Sequence, residues 1–521
     1  MIKIALTGAT GNMGTETLFS LMTLDFVEKV KILVLNTAKD KAIAKKFKKI
    51  YRNRLDVQIG DLAVYEDCEK LIEDCDYILN LAAVIPPKSD KYPNCAKACN
   101  VDGVTNLITA LEKKENQPKF IHISTVAVYG NRNHKHPWGR VGDPLLPSVY
   151  DCYASFKVEG ERRVLESKIK TWAVLRQTAM LHKNMLTDNM KDGLMFHTCY
   201  NTPLEWVTAR DSGRLLANII AKDVKGETTD FWYKVFNIGG GAPNRCTGFD
   251  TFDQGFRIIG GNGEKFLNPS WNSVRNFHGL WFSDSDQLEE MFHFQKETTI
   301  DYWQEILIRH PYYKVAKILP ARLIKRLAIQ RLLSDKNAPR KWIKAGEKGK
   351  VKAYFGSEYN IQCLPEKWEN YPLLCKGQLA DGDLDYEALR DFSKIKENGF
   401  LLSHGYDESK KDEELSFEDF GQAAKFRGGK CLSSSGEGNP LYKKALWECH
   451  QGHRFEANPY TILKAGHWCP HCTKVNVWDF DMQAKHNPFY AQVWYDSHAL
   501  RENTYYYFDD EYRAKFEIKE E

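Results

Sequence analysis

The sequence predicts an α/β fold: a doubly wound parallel sheet with helices on both faces, followed by a C-terminal α+β extension and a small metal module. Three observations predict it. The chain opens on an apolar run, Ile2 to Leu6, followed by glycines 8, 11 and 14 and a helical stretch, Thr15 to Met22. Short apolar runs then alternate with helical stretches as far as about residue 240, the pattern of βαβ units. Near the C-terminus, two short Cys/His knuckles lie about fifteen residues apart, a spacing that suits a structural metal.

The first element is a strand, a glycine turn and a helix, which together form a dinucleotide site. The first glycine permits a tight turn, the second lets backbone N–H groups approach a pyrophosphate, and the third lets helix and strand pack closely. The turn supplies Gly8, Thr10, Gly11, Asn12, Met13 and Gly14 as candidate cofactor contacts. The second strand, Val30 to Leu35, ends at Asn36, where an NAD site usually carries an acid. Asn36 with Lys39 and Lys41 favours a 2′-phosphate, and Asp40 opposes it, so NAD and NADP both stay open. After the third strand, Val57 to Ile59, Asp61 can accept from an adenine amino group beside Leu62. After the fourth, Tyr77 to Leu81, the small Ala82 and Ala83 let backbone pass near a cofactor. Asn100 starts the next helix and is a candidate for positioning backbone or water. Phe120 to Ile123 is the fifth strand and runs into Ser124-Thr125.

Tyr153 and Lys157 lie four apart in a helical stretch, hence on one face. A carbonyl that accepts hydride needs a proton, and a phenol near pKa 10 is a poor donor–acceptor at neutral pH. An ammonium one turn away favours the phenolate and lowers that pKa. The candidate catalytic set is therefore Tyr153 as acid or base, Lys157 as its tuner and ribose anchor, and Thr125 as a hydrogen-bond partner of the substrate oxygen.

Taken together, the glycine triplet, Asp61, Asn80-Leu-Ala-Ala83, Thr125 ahead of Tyr129-Gly130, and Tyr153-x-x-x-Lys157 resemble an extended short-chain dehydrogenase/reductase, the NAD-dependent epimerase/dehydratase family. Val174-Leu-Arg176, Trp206-Val-Thr-Ala-Arg-Asp211 before a helix, and Val235-Phe-Asn-Ile-Gly239 match its later strands, so the resemblance covers roughly residues 1–310. It implies a Rossmann sheet, NAD or NADP, and a secondary alcohol or ketone as substrate. Val126-Ala127 stand where dehydratases of this group carry an Asp-Glu pair, which marks down 4,6-dehydration. A sugar-nucleotide epimerase is the alternative within the family. Substrate choice falls to Ile85–Asn94, Asn131–Pro147, Gln177–Trp206 and Phe266–Phe282, where Met180, Met185, Met190, Met195, Trp206, Trp271, Phe277 and Trp281 sit with Arg275 and His278. An apolar lining suits a sterol-like alcohol, although such residues more often form plain core.

Residues 311–419 read as a basic helical and linker region. Pro311 to Lys350 holds twelve Lys/Arg against two acids. Ala321 to Leu333 is a short basic amphipathic helix that could meet an anionic membrane surface or nucleic acid. The sequence alone favours a helix packed on the main domain with a solvated basic face. Residues 420–521 hold the metal module and a tail. Cys449, His453, Cys469 and Cys472 are the candidate zinc ligands, with His450 and His471 as alternatives. "Trp-x-Cys-x-x-Gly-His-x-Phe" and "Gly-x-Trp-Cys-Pro-x-Cys" resemble a treble-clef zinc-ribbon module of DNA-associated proteins, which implies a structural zinc held through His453 and leaves Cys431 outside. A cofactor-sensing nucleic-acid-binding protein is thus the rival of another class.

The 521 residues allow two to four domains, and 43% hydrophobic with 27% charged residues excludes general disorder. A net charge of +4 does not by itself argue for nucleic acid. Met1 leads straight into the first strand and no run of about 18 apolar residues occurs, so a cytoplasmic location with reduced thiols is expected. A small-molecule substrate is expected, and homodimerisation stays open.

Overall fold

The computed structural model describes the chain except residues 186–187, 189–191, 380–381, 384, 396–399, 435–439, 474–479, 501, 503–505, 507–511, 513 and 515–521; Met190 thus lies outside the described residues. Seven parallel strands form the main sheet: β1 (Ile2–Thr7), β2 (Val27–Val34), β3 (Leu55–Ile59), β4 (Tyr77–Asn80), β5 (Lys119–Thr125), β6 (Trp172–Gln177) and β7 (Lys234–Ile238). Their order is β7-β6-β5-β4-β1-β2-β3. The order reverses between β1 and β4, and the crevice beyond the carboxyl ends of those strands is where such folds bind ligands. Most residues of these strands are buried because helices cover both faces.

The helices that matter for the site are α1 (Asn12–Leu21), α2 (Ala38–Tyr51), α3 (Gly103–Glu112), α4 (Cys152–Leu165) and α5 (Ala209–Val224). Helix α4 starts where the Asp151 side chain accepts from the Ala154 N–H. A π-helical turn, Ala98–Asp102, precedes α3. The stretch Trp206–Asp211 divides differently from the expected strand. The strand is Pro203–Thr208, and the Thr208 side chain accepts from Asp211 N–H, so Ala209 already belongs to α5. Trp271 and Trp281 are buried core residues.

Beyond residue 310 come short helices and a three-stranded antiparallel sheet, Lys430–Cys431, Ala445–Glu448 and Arg454–Ala457. One apolar cluster runs from Val104, Leu107 and Trp172 to Trp447, Tyr460, Trp468 and Phe489. The C-terminal module thus shares a core with the first part, meeting the edge of the parallel sheet where Tyr460 packs on Trp172.

Candidate active site and metal centre

Thr7 ends β1 and ties the switch point together. Its hydroxyl accepts from the Leu81 and Ala82 N–H groups at 3.0 Å each and donates to Asn80 Oδ1 at 2.7 Å. Gly8 follows with φ +69°, and a Cβ there would meet Ala82 N at 2.8 Å. At Gly14 a Cβ would lie 2.1 Å from Gly8 O, so α1 sits directly on the turn. Gly11 precedes α1 with no side-chain cap, and the first helical turn holds no acid. Its free N–H groups and positive dipole end face the crevice, as Thr10, Asn12 and Met13 follow the turn.

At the end of β2, Asn36 is exposed and accepts from Lys41 Nζ at 2.9 Å. The Asp40 carboxylate reaches back to the glycine turn, accepting from Thr10 Oγ1 at 2.7 Å and from Thr37 Oγ1 at 2.6 Å. A cavity of about 630 Å³ next to Gly11 and Asn12 is lined also by Lys39, Lys46 and Lys183. Both charges weighed in the sequence are therefore present at this edge. Asp61 is exposed and folds Oδ1 onto the Ala63 N–H, while Leu62 is buried beneath Gly103. Ala82 and Ala83 are partly exposed at the end of β4. Asn100 is fully buried, and its amide spans both backbone groups of Val84, 3.0 Å from N and 2.9 Å from O. It fixes the loop after β4.

Thr125 closes β5 and Tyr153 opens α4, which brings the two side chains beside one another. Tyr153 is half-buried. Burial pushes its phenol up to about 12 against the lowering by Thr125, and Asp151 raises it further. This departs from the expected lowering by Lys157, because the ammonium is committed elsewhere: Nζ donates to Ile123 O at 2.6 Å. Lys157 is 1% exposed, and burial pulls it down to about 8.

His122, buried in β5, was missed by sequence reasoning, although a polar residue inside Phe-Ile-His-Ile was the available signal. Thr7 fixes its tautomer. With its lone pairs engaged, the Thr7 hydroxyl must donate to Asn80 Oδ1, which turns Asn80 Nδ2 towards His122 Nδ1 at 3.1 Å. Burial, then the Lys157 charge, holds the imidazole well below its usual pKa and hence neutral. Its proton therefore sits on Nε2, 3.5 Å from Lys157 Nζ. Two donors face each other there, which leaves Ile123 O as the acceptor for the ammonium.

On the substrate side, Arg275 is spent within the chain. It binds both Glu502 carboxylate oxygens at 3.0 and 2.5 Å and the carbonyls of Lys352, Ala353 and Ser497. His278 pairs with Asp151 at 3.2 Å.

The second cluster comprises Cys449, His453, Cys469 and Cys472, whose ligand atoms all lie within 4.8 Å of one another. His453 Nδ1 is 3.5, 3.7 and 3.4 Å from the sulfurs of Cys449, Cys469 and Cys472, and the Cys449 and Cys472 sulfurs are 3.8 Å apart. A tetrahedron with Zn–S near 2.3 Å and Zn–N near 2.0 Å has edges of about 3.5–3.8 Å, so this donor set fits zinc. His450 instead stacks on His486, His471 packs beside His453, and Cys431 bonds to Ser433 O.

The parallel sheet, its switch point and the glycine turn define a protein of the doubly wound dinucleotide-binding class. Residues 4–169 match the model of the NAD dependent epimerase/dehydratase family. A probable polyketide synthase 9/36 of Dictyostelium discoideum is 28% identical over 193 residues, which is 32% of this chain and 6% of that protein. The chain therefore spans only a small part of that relative's length. Among solved structures, a dTDP-glucose 4,6-dehydratase of Bacillus anthracis in complex with NAD is 18% identical. It covers 61% of this chain and 98% of its own, with a TM-score of 0.47. A UDP-glucuronic acid 4-epimerase of Bacillus cereus in complex with NAD is 21% identical and covers 61% and 100%, with a TM-score of 0.44.

Proposed function

We propose that the chain is an NAD(P)-dependent oxidoreductase that interconverts a secondary alcohol and a ketone through Thr125, Tyr153 and Lys157, with a structural zinc in the C-terminal module. The observation that carries this reading is the placement of Thr125 at the carboxyl end of β5 beside Tyr153 at the start of α4, with the buried Lys157 one turn on. The turn residues Gly8 to Gly14 hold the pyrophosphate, Asp61 and Leu62 border the adenine, Ala82, Ala83 and Asn100 shape the wall after β4, and Asn36 lies at the ribose edge. The bound dinucleotide supplies or takes up the hydride. Tyr153, protonated at neutral pH, gives its proton to the carbonyl oxygen, and Thr125 holds that oxygen. Lys157, which donates to Ile123 O here, would hold a ribose hydroxyl of the bound dinucleotide. NAD is supported by the family match, and the three lysines at the β2 edge keep NADP in play.

The family match supports a second reading, a sugar-nucleotide epimerase. Against it stands Arg275, an arginine suited to a diphosphate that is already saturated by Glu502 and three carbonyls. A substrate without a diphosphate fits better. The test is dinucleotide binding by fluorescence, with turnover on a panel of ketones and sugar nucleotides, for wild type and Tyr153→Phe. Loss of general acid–base catalysis costs about 10²–10⁴ in rate, and dinucleotide affinity is expected to hold. Retention of turnover by Tyr153→Phe would overturn the proposal.

A further inference from the structure

The basic stretch after residue 310 packs on the main domain with its arginines solvated, but only part of its apolar residues turn inward. Ile324, Ile329 and Leu332 do turn inward, onto a cluster with Phe266 and Trp271, and Lys325 sits over Trp271. Leu323 and Leu327 turn outward, 42% and 64% exposed, and Ile318 and Leu319 just before them are 84% and 46% exposed. Lys325–Ile329 is a π-helical turn between two short α-helical pieces, Ala321–Ile324 and Gln330–Leu332. Arg322 precedes Leu323 and Arg326 precedes Leu327, and both of these arginines and Arg331 are exposed. The ion pairs Arg309–Glu305 and Lys350–Glu347 lie at the two ends of this stretch.

We infer that residues 318–331 dock the protein on an anionic lipid surface. Exposed aliphatic side chains interleaved with exposed arginines let the leucines enter the acyl boundary while the guanidinium groups stay at the headgroups. Nucleic acid would draw on the arginines but gives four exposed aliphatic residues nothing to bury against. A second copy of the chain would bring like charges face to face across a twofold axis. The helix is anchored by its inner face, so the patch is presented by a fixed element. Among the described residues no helix is long and apolar enough to cross a membrane, so the contact is peripheral.

The experiment is co-sedimentation of the full chain with vesicles of phosphatidylcholine alone or mixed with phosphatidylserine, at low and high salt. Binding is expected only to the anionic vesicles and is weakened by salt. Arg322→Gln with Arg326→Gln lowers the partition about 30-fold, at about fivefold per charge. Leu323→Ser with Leu327→Ser lowers it at least about tenfold. These side chains are exposed, so thermal melting stays unchanged and confirms that the variants are folded. Failure to sediment with anionic vesicles overturns the proposal, as does binding indifferent to the leucine pair. Retention of duplex DNA that depends on the arginines alone, or self-association abolished by the leucine changes, assigns the patch to another partner and likewise overturns it.

Discussion

Lys157 is a charge placed where the fold would rather have none, and replacing it with methionine measures the cost. The side chain is 1% exposed, with one hydrogen bond to Ile123 O and an N–H of His122 turned towards it. Burial pulls its pKa from 10.5 to about 8, with Cys99 and Glu161 opposing. At about 1.4 kcal/mol per pH unit, that difference is a cost of roughly 3 kcal/mol for keeping the ammonium in the folded state. The sign follows from proton uptake. Between about pH 8 and 10.5 the unfolded chain holds a proton that the folded one has released, so stability rises with pH across that window. Below it the full cost stands, and above it both amines are neutral and the cost is gone. Methionine fills similar space without a charge and gives up one hydrogen bond, which is worth about 1 kcal/mol. Lys157→Met is thus expected to be about 1–3 kcal/mol more stable than wild type at neutral pH, and the advantage should vanish above pH ~10. The same change should abolish turnover, the usual conflict between stability and an active site. Urea midpoints of both proteins at neutral and alkaline pH decide it. A variant less stable at neutral pH, or a gap that does not change with pH, refutes the reasoning.

Two further outcomes are expected. Gly14→Ala puts a methyl carbon 2.1 Å from Gly8 O, which forces the turn off α1, and dinucleotide affinity measured by fluorescence titration should fall at least about tenfold because close backbone approach is lost. Chelation, which would strip the ion from the proposed zinc site, or Cys469→Ser, which removes one of its four candidate ligands, should lower Tm by about 5 °C or more, read by differential scanning with the bound metal counted by elemental analysis.

Much of the fold was legible in the sequence because buried parallel strands and glycine turns leave local signals. All seven strands of the main sheet were marked within a few residues, and the glycines at 8 and 14 sit where only a missing Cβ allows the contact. What stayed hidden depends on partners far away in sequence. The Tyr153–Lys157 spacing is local, but Ile123 O, which takes the ammonium, and His122, which faces it, come from a strand thirty-odd residues earlier. Arg275 looked available for a diphosphate because Glu502 lies 227 residues on. The outward leucines at 323 and 327 were hidden for a related reason: helical spacing shows that two apolar ridges exist, while only the tertiary packing shows that just one of them has something to cover it.

The Cys/His module is joined by more than proximity to the helix that carries Tyr153 and Lys157. Glu161 lies one turn after Lys157 on α4 and is fully buried against Arg176, at 2.5 and 3.1 Å. A buried ion pair holds only if its remaining valences are met, and here the C-terminal module meets them. His467 Nε2 lies 3.0 Å from Glu161 Oε1, and Arg176 donates to Ala465 O at 2.6 Å. On the next residue of α4, Arg162 donates to Trp468 O at 2.6 Å, one residue before the ligand Cys469. The module also reaches β7, where Val235 N–H donates to Tyr460 Oη at 2.9 Å. Each contact gives a further partner, from the C-terminal module, to a polar group that the module helps to bury. The part that matches the family model and the C-terminal module therefore share one interior. A metal that orders residues 465–472 thereby orders the outer face of the helix that carries Tyr153 and Lys157.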